Sequence, residues 1–231
     1  MRPFSYERAP DLDAAVRAAA IDPSSAVPPT MAKVQFVAGG TTILDLMKLD
    51  AMQPEVLVDI VDLQRSYGRI EVTPEGLRLG ALVRMSEAEA HPDIAQGYPA
   101  IAQSLQQAAS AQLRNMATLG GNVLQRTRCE YFREPGWGAC NKRNPGSGCA
   151  AMDGVNRKHA VLGVGDQCIA EYPGDLAPTL VALGTIVETR GPSGTRRFPL
   201  EELHRGPEQP HIETVLAQGE LITGYLVPGG P

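Results

Sequence analysis

Apolar residues along this chain change period several times, and each change predicts an element. Asp11 is placed to cap a first helix running through Ala14–Ala20, which the turn-rich segment IDPSSAVPPT (21–30) closes. KVQFVAGG, ending at Gly40, reads as a short buried strand stopped by two glycines. In the next segment Ile43, Leu44, Leu46, Met47 and Leu49 recur at helical spacing, with Thr41 or Thr42 placed as the cap. EVLVDIVDL (55–63) is strand-like, and RIEVTPEGLRLGALV (69–83) alternates on each side of Pro74-Glu75-Gly76, which predicts a hairpin. Helices are expected from near Ser86 and over YPAIAQSLQQAAS (98–110). GDLAPTLVALG reads as a helix with Asp175 near its start and Gly184 at its C-terminal cap. TIVETR and TRRFPL read as strands paired across Gly191-Pro192-Ser193-Gly194. Strands and helices alternate without a regular βαβ period, so the expected class is α+β rather than a doubly wound sheet.

Composition narrows the function classes. At 231 residues the chain can bury a sizeable core. A net charge of −5 gives no support to nucleic-acid binding or to an anionic membrane surface. No run approaches the length of a membrane span, and MRPFSYERAPDLDAAVRAAA lacks the apolar core of a signal peptide. The chain by its own sequence is therefore expected in the cytoplasm, with export alongside a signal-bearing partner as the alternative.

Two segments pair Gly-Gly with a hydroxyl residue. They are Ala38-Gly39-Gly40-Thr41-Thr42, between a strand and a helix, and Ala117-Thr118-Leu119-Gly120-Gly121-Asn122. Consecutive glycines let backbone N–H groups approach a phosphate, so two such loops could hold the two phosphates of a dinucleotide. Either one alone is better explained by a tight turn. The spacing does not match the G-x-G-x-x-G pattern of a Rossmann site.

All four cysteines, Cys129, Cys140, Cys149 and Cys168, fall in one loop-rich segment, with 10, 8 and 18 residues between them. Four thiolates are the ligand count of an iron–sulfur cluster or a structural zinc, and two disulfides are the remaining arrangement. The spacings match neither the paired C-x₂-C of zinc ribbons nor bacterial ferredoxins, so spacing does not choose among them. The same segment carries Arg126, Arg128, Arg133, Lys142, Arg143, Arg157 and Lys158. These are read either as charge that steadies a thiolate-bound cluster or as a solvated face that docks a partner. His159 reads more simply as a packing histidine than as a ligand or donor, and Trp137 as a cap over the loop.

Taken together, AGGTT after a strand, IVDL at 60–63, LRNMATLGGN at 113–122 and P-x-D-L-A-P at 173–178 resemble the flavin-binding subunit of the molybdenum hydroxylases. This is the family of xanthine dehydrogenase and carbon monoxide dehydrogenase. The resemblance implies an α+β, two-subdomain FAD-binding fold of the PCMH type, divided here as residues 1–60 and 61–231. It further implies that Ala38, Gly39, Gly40, Thr41 and Thr42 form one phosphate loop and Ala117, Thr118, Gly121 and Asn122 the other. Leu124 would pack near the flavin, and Asp175 would hydrogen-bond to the cofactor, although a helix N-cap is its plainer reading.

Most members run directly from the second loop to the Asp segment, whereas residues 125–170 intervene here. Such a cysteine-bearing insertion resembles the flavin subunits of bacterial heterotrimeric aldehyde oxidoreductases and of 4-hydroxybenzoyl-CoA reductase. QRTRCEYFRE, CNKRNPGSGC and NRKHAVLG are closer to the first. That resemblance makes the four cysteines ligands of a [4Fe–4S] cluster. It implies an electron-transfer subunit with no acid–base catalyst of its own. Its partners would be a large subunit holding the molybdenum cofactor and a small subunit with [2Fe–2S] clusters, and its flavin would discharge to an external acceptor such as oxygen, a quinone, NAD or a ferredoxin. A zinc-stapled interaction module is the competing class. Members usually continue into a C-terminal α+β domain, which is expected to be absent because the chain stops at GELITGYLVPGGP.

Overall fold

The computed structural model describes residues 1–20 and 27–229, so most of the expected turn at 21–30 lies outside the described residues. Two sheets organise them. The first is three-stranded and parallel, with β1 (Ser5–Arg8) and β2 (Val34–Val37) on either side of β3 (Val56–Asp59). Helices Leu12–Ala19 and Ile43–Lys48 connect these strands, making a small β-α-β-α-β unit. The inner strand is the most deeply buried: Leu57, Val58 and Asp59 are buried, whereas every residue of β1 is exposed. Strand β1 is held instead by its backbone ladder and by Asp59, which accepts bonds from the Tyr6 hydroxyl and from Arg8 Nε (3.1 Å). SYER has no apolar alternation, which is why its pattern predicts no strand.

The second sheet is antiparallel and five-stranded, in the order β4 (Ile70–Thr73), β5 (Gly76–Gly80), β8 (Leu221–Pro228), β6 (Ile186–Gly191) and β7 (Gly194–Pro199). Both expected hairpins form, β4–β5 across Pro74-Glu75 and β6–β7 across Pro192-Ser193. The central strand β8 comes last in the chain, and its near-continuous burial gives no period-2 signal. Helices Met85–Ala90, Pro99–Gln107 and Leu176–Ala182 cover this sheet through Ile101, Leu105, Leu176 and Leu180, all fully buried. Each such side chain contributes about 2 kcal/mol of hydrophobic stabilisation.

Helix starts separate by backbone geometry. Asp11 and Thr118 have extended backbones and accept from Ala14 N–H (2.7 Å) and Gly121 N–H (3.2 Å). Thr42 and Asp175 stand at helix starts with backbones already helical, and neither side chain makes the capping bond that its sequence position suggested. A capping side chain needs the extended conformation to reach back to the first turn. Gly184, by contrast, follows its helix with φ of 64°, as a C-terminal glycine should.

Candidate functional site

An open cleft of about 430 Å³ lies where the parallel unit meets the antiparallel sheet. That volume suits an organic cofactor. Ala38, Gly39, Gly40, Thr41 and Thr42 line it, and so do Thr118, Gly121 and Leu124. The two glycine loops, eighty residues apart in sequence, thus share one cleft. They also touch. A Cβ built on Gly39 would fall 1.9 Å from the Met116 carbonyl oxygen, so only glycine lets the first loop lie against the second. Gly40 has φ of 74°, a left-handed conformation that turns the chain from β2 into the helix.

The loops differ in what their N–H groups do. Leu119 N–H bonds to the Val83 carbonyl, Gly120 N–H to the Ala81 carbonyl (2.8 Å) and Gly121 N–H to the Thr118 hydroxyl. Among the described residues the N–H groups of Gly40, Thr41 and Thr42 have no such partner. The first loop therefore presents donors, and the second is largely satisfied by neighbouring backbone and by its own Thr118.

Three residues expected at the site do not line the cleft. Ala117 gives its carbonyl to Met85 N–H, and Asn122 turns its amide onto Met85 Sδ (3.4 Å), leaving its Oδ1 buried without a partner. Asp175 is exposed at the start of its helix.

Other cleft residues carry no sequence motif. Tyr172 donates to the Val123 carbonyl (2.9 Å), and burial pushes its hydroxyl pKa well up. His204 packs against Tyr172 with ring centroids 4.8 Å apart, and burial holds its pKa below the usual value. Arg126 stacks on Phe132 (4.5 Å) and bonds to Glu213 (2.7 Å), while its Nη2 is buried with no partner. An orphaned donor of this kind suits a site built for a polyanionic cofactor.

Beside the cleft, all four cysteines line one small void, of about 10 Å³. Every thiol is free, so the disulfide arrangement is not the one adopted. Cys129, Cys140 and Cys168 are buried and Cys149 is half-buried. A single antiparallel backbone β-bridge pairs Cys140 with Cys149, and Asn141 knits the segment by bonding Gln167 and Gly148. Burial pushes the Cys129 and Cys168 thiols up, against backbone N–H groups that pull them down: Phe132 and Tyr131 at Cys129, Ala170 at Cys168. Among the described residues no three Cys, His, Asp or Glu side chains are grouped to hold a metal ion. Four thiols around a cube of iron and sulfide stand farther apart than around one ion, because each binds its own corner. The four thiols match that cube in number and chemistry, and the void between them has room for about one water.

The basic residues of the segment do not form one solvated face. Arg143 fills its guanidinium with the carbonyls of Tyr131, Phe132 and Trp137, Arg133 pairs with Asp45 (2.8 Å), and Arg126 and Lys142 pair with Glu213. Arg128, Arg157 and Lys158 are the exposed ones. His159 is not a bystander: its Nε2 lies 3.2 Å from Cys129 Sγ. Trp137 packs edge-on against Tyr131 yet keeps half its surface exposed.

A model of the family described as "FAD binding domain in molybdopterin dehydrogenase" matches residues 2–229. The chain belongs to this family. Membership agrees with the resemblance carried by AGGTT and LRNMATLGGN, and with the α+β class. The chain is 44% identical to the aldehyde oxidoreductase FAD-binding subunit PaoB of Escherichia coli (strain K12), over 99% of this chain and 69% of that protein. It is 24% identical to the nicotine 6-hydroxylase medium subunit of Paenarthrobacter nicotinovorans, over 85% of this chain and 52% of that one. Among solved structures, the fold matches carbon monoxide dehydrogenase from Hydrogenophaga pseudoflava with a TM-score of 0.69 at 20% identity, over 100% of this chain and 60% of that chain. Quinoline 2-oxidoreductase from Pseudomonas putida 86 matches with 0.67 at 21%, over 99% of this chain and 60% of that one. The family's FAD is the group that the cleft suits. Among the described residues no helix is long and apolar enough to cross a membrane.

Proposed function

We propose that this chain is the FAD- and [4Fe–4S]-carrying electron-transfer subunit of a molybdenum-dependent aldehyde oxidoreductase. The observation that carries the reading is the adjacency of two sites. The cleft lined by both glycine loops and the void lined by all four thiols share Cys168, Lys142 and Ala170 as a common wall. The 44% identity to an aldehyde oxidoreductase FAD-binding subunit supports the choice of substrate class.

On this reading the N–H groups of Gly40, Thr41 and Thr42 hold the cofactor's phosphates, and Thr118, Gly121 and Leu124 form the opposite wall. Ala117, Asn122 and Asp175 act from behind or beside that wall. The division at residue 60 puts one loop in each subdomain, with 125–170 as the cluster-bearing insertion. Cys129, Cys140, Cys149 and Cys168 ligate the cluster, and the N–H groups near Cys129 and Cys168 would steady its sulfurs. Bound FAD supplies the ability to take electrons singly and discharge one or two. The protein positions it and excludes water. Aldehyde oxidation belongs to a large subunit with the molybdenum cofactor, and a small [2Fe–2S] subunit feeds this chain, which passes electrons to an external acceptor. Export with such a partner would place the complex in the periplasm.

Cofactor, iron and sulfide analysis of the purified complex tests this. One FAD and one [4Fe–4S] per chain, beyond the partner's clusters, is the expected result. A complex with zinc on this chain, no FAD, and no iron beyond the partner's clusters would end it. Cys149→Ser, at the least buried thiol, should lose the four-iron cluster and keep FAD.

A further inference from the structure

The wall between the two sites holds a buried charge arrangement that does not balance. Glu213 accepts from Arg126 Nε (2.7 Å) and from Lys142 Nζ (2.8 Å), and the Lys142 ammonium also donates to the Pro210 carbonyl (3.0 Å). The three side chains are 6%, 14% and 15% exposed for Arg126, Lys142 and Glu213. Burial alone would raise the Glu213 carboxyl, but the two cations outweigh it and hold it below the ordinary range. Among these three side chains, two cations on one carboxylate leave one surplus positive charge away from water; Glu171, in the same cleft, bonds to neither cation. Such a charge is costly unless a further anion compensates it. Lys142 borders the cleft on one side and the void of thiols on the other, alongside Cys168.

We propose that Lys142, positioned by Glu213, is a counter-charge shared by the two redox centres, so that it sets the potentials of both together. The inference rests on the FAD and cluster reading above. A centre that accepts an electron without a proton gains one negative charge. Facing a common ammonium across a low-dielectric wall, either centre is stabilised in its reduced form. The role asks for neither proton transfer from Lys142 nor a bond to either centre. Lys142 is a positioning and tuning residue, not a catalytic one. Glu213 acts in the opposite sense, cancelling part of that charge while holding the ammonium in place.

Anaerobic titration of the holocomplex with dithionite tests it. Flavin bleaching and the cluster EPR signal that Cys149→Ser removes are followed against potential. Lys142→Met should shift both midpoints negative, and Lys142→Arg should restore them. Glu213→Gln should shift both positive. Opposite shifts from opposite charge changes are not what loosened packing produces. A shift confined to one centre, or the same sign in both variants, overturns the proposal. If Lys142→Met loses a centre, Glu213→Gln decides: a positive shift of both upholds it, and no shift overturns it. A wild-type complex without FAD or the extra cluster would defeat the functional reading instead, before any variant is compared.

Discussion

The two Gly-Gly loops are near twins in sequence and unlike in structure. The first turns through a left-handed glycine and leaves the N–H groups of Gly40, Thr41 and Thr42 without partners among the described residues. The second opens a helix under a Thr118 cap and bonds its own N–H groups to Ala81, Val83 and Thr118. One is a donor array and the other a packing joint that meets it at Met116. A motif of glycines and threonines therefore states that backbone comes close to something. It does not state whether that something is a ligand or the protein itself.

The contrast can be broken hardest at Gly39. Gly39→Ala forces its Cβ onto the Met116 carbonyl, a backbone atom that cannot swing away, and should cost about 3 kcal/mol together with the bound FAD. Thermal unfolding and flavin content of the purified complex read both; near-normal values would mean that the loops do not pack as described. Next come the matched glycines. Gly40→Ala places a side chain at φ of 74° and within 2.9 Å of Leu44, costing about 1–2 kcal/mol. Gly121→Ala sits in a helix with only the Thr118 hydroxyl nearby, at 3.2 Å, so stability should hold or gain up to about 1 kcal/mol while FAD binding weakens. Equal losses of stability at the two would erase the distinction.

The smallest effects separate the threonines. Thr118→Ala removes a cap and should cost about 1 kcal/mol in denaturant unfolding. Thr42→Ala removes no capping bond, so its stability should stay within about 0.5 kcal/mol of wild type. Its effect should appear in flavin dissociation instead. A cap-sized loss of stability at Thr42 with flavin dissociation unchanged would show that its hydroxyl serves the helix rather than the cleft.

Much of the fold was legible because local signals and tertiary packing agreed. Asp11, Pro74-Glu75-Gly76, Gly184 and the turn at Pro192-Ser193 all act within a few residues of themselves, so sequence spacing reports them. Strands β1 and β8 were not legible. One is exposed along its whole length and depends on Asp59, while the other is buried on both faces and loses its alternation. Site residues divided the same way. Ala38 to Thr42 and Thr118, Gly121 and Leu124 announce themselves by motif, whereas Tyr172, His204 and Glu213 reach the cleft only through the packing of distant segments. Asn122 shows the reverse: it belongs to the motif, yet its amide is spent on Met85.

By itself the sequence determined the chemistry available: two glycine-rich backbone approaches, four thiols in one segment and an excess of basic residues around them. These are properties of residue type and short spacing, and no fold can supply them afterwards. Only the tertiary structure decided which groups share a space. It brought two glycine loops into one cleft, set the thiols around one void and put Lys142 and Cys168 in the wall between. It also turned Arg126, Lys142 and Arg143 onto a buried carboxylate and backbone carbonyls, and paired Arg133 with Asp45 at the surface. The reason is physical. Hydrogen-bond satisfaction and close packing act between atoms near in space, and separation along the chain carries little information about that distance.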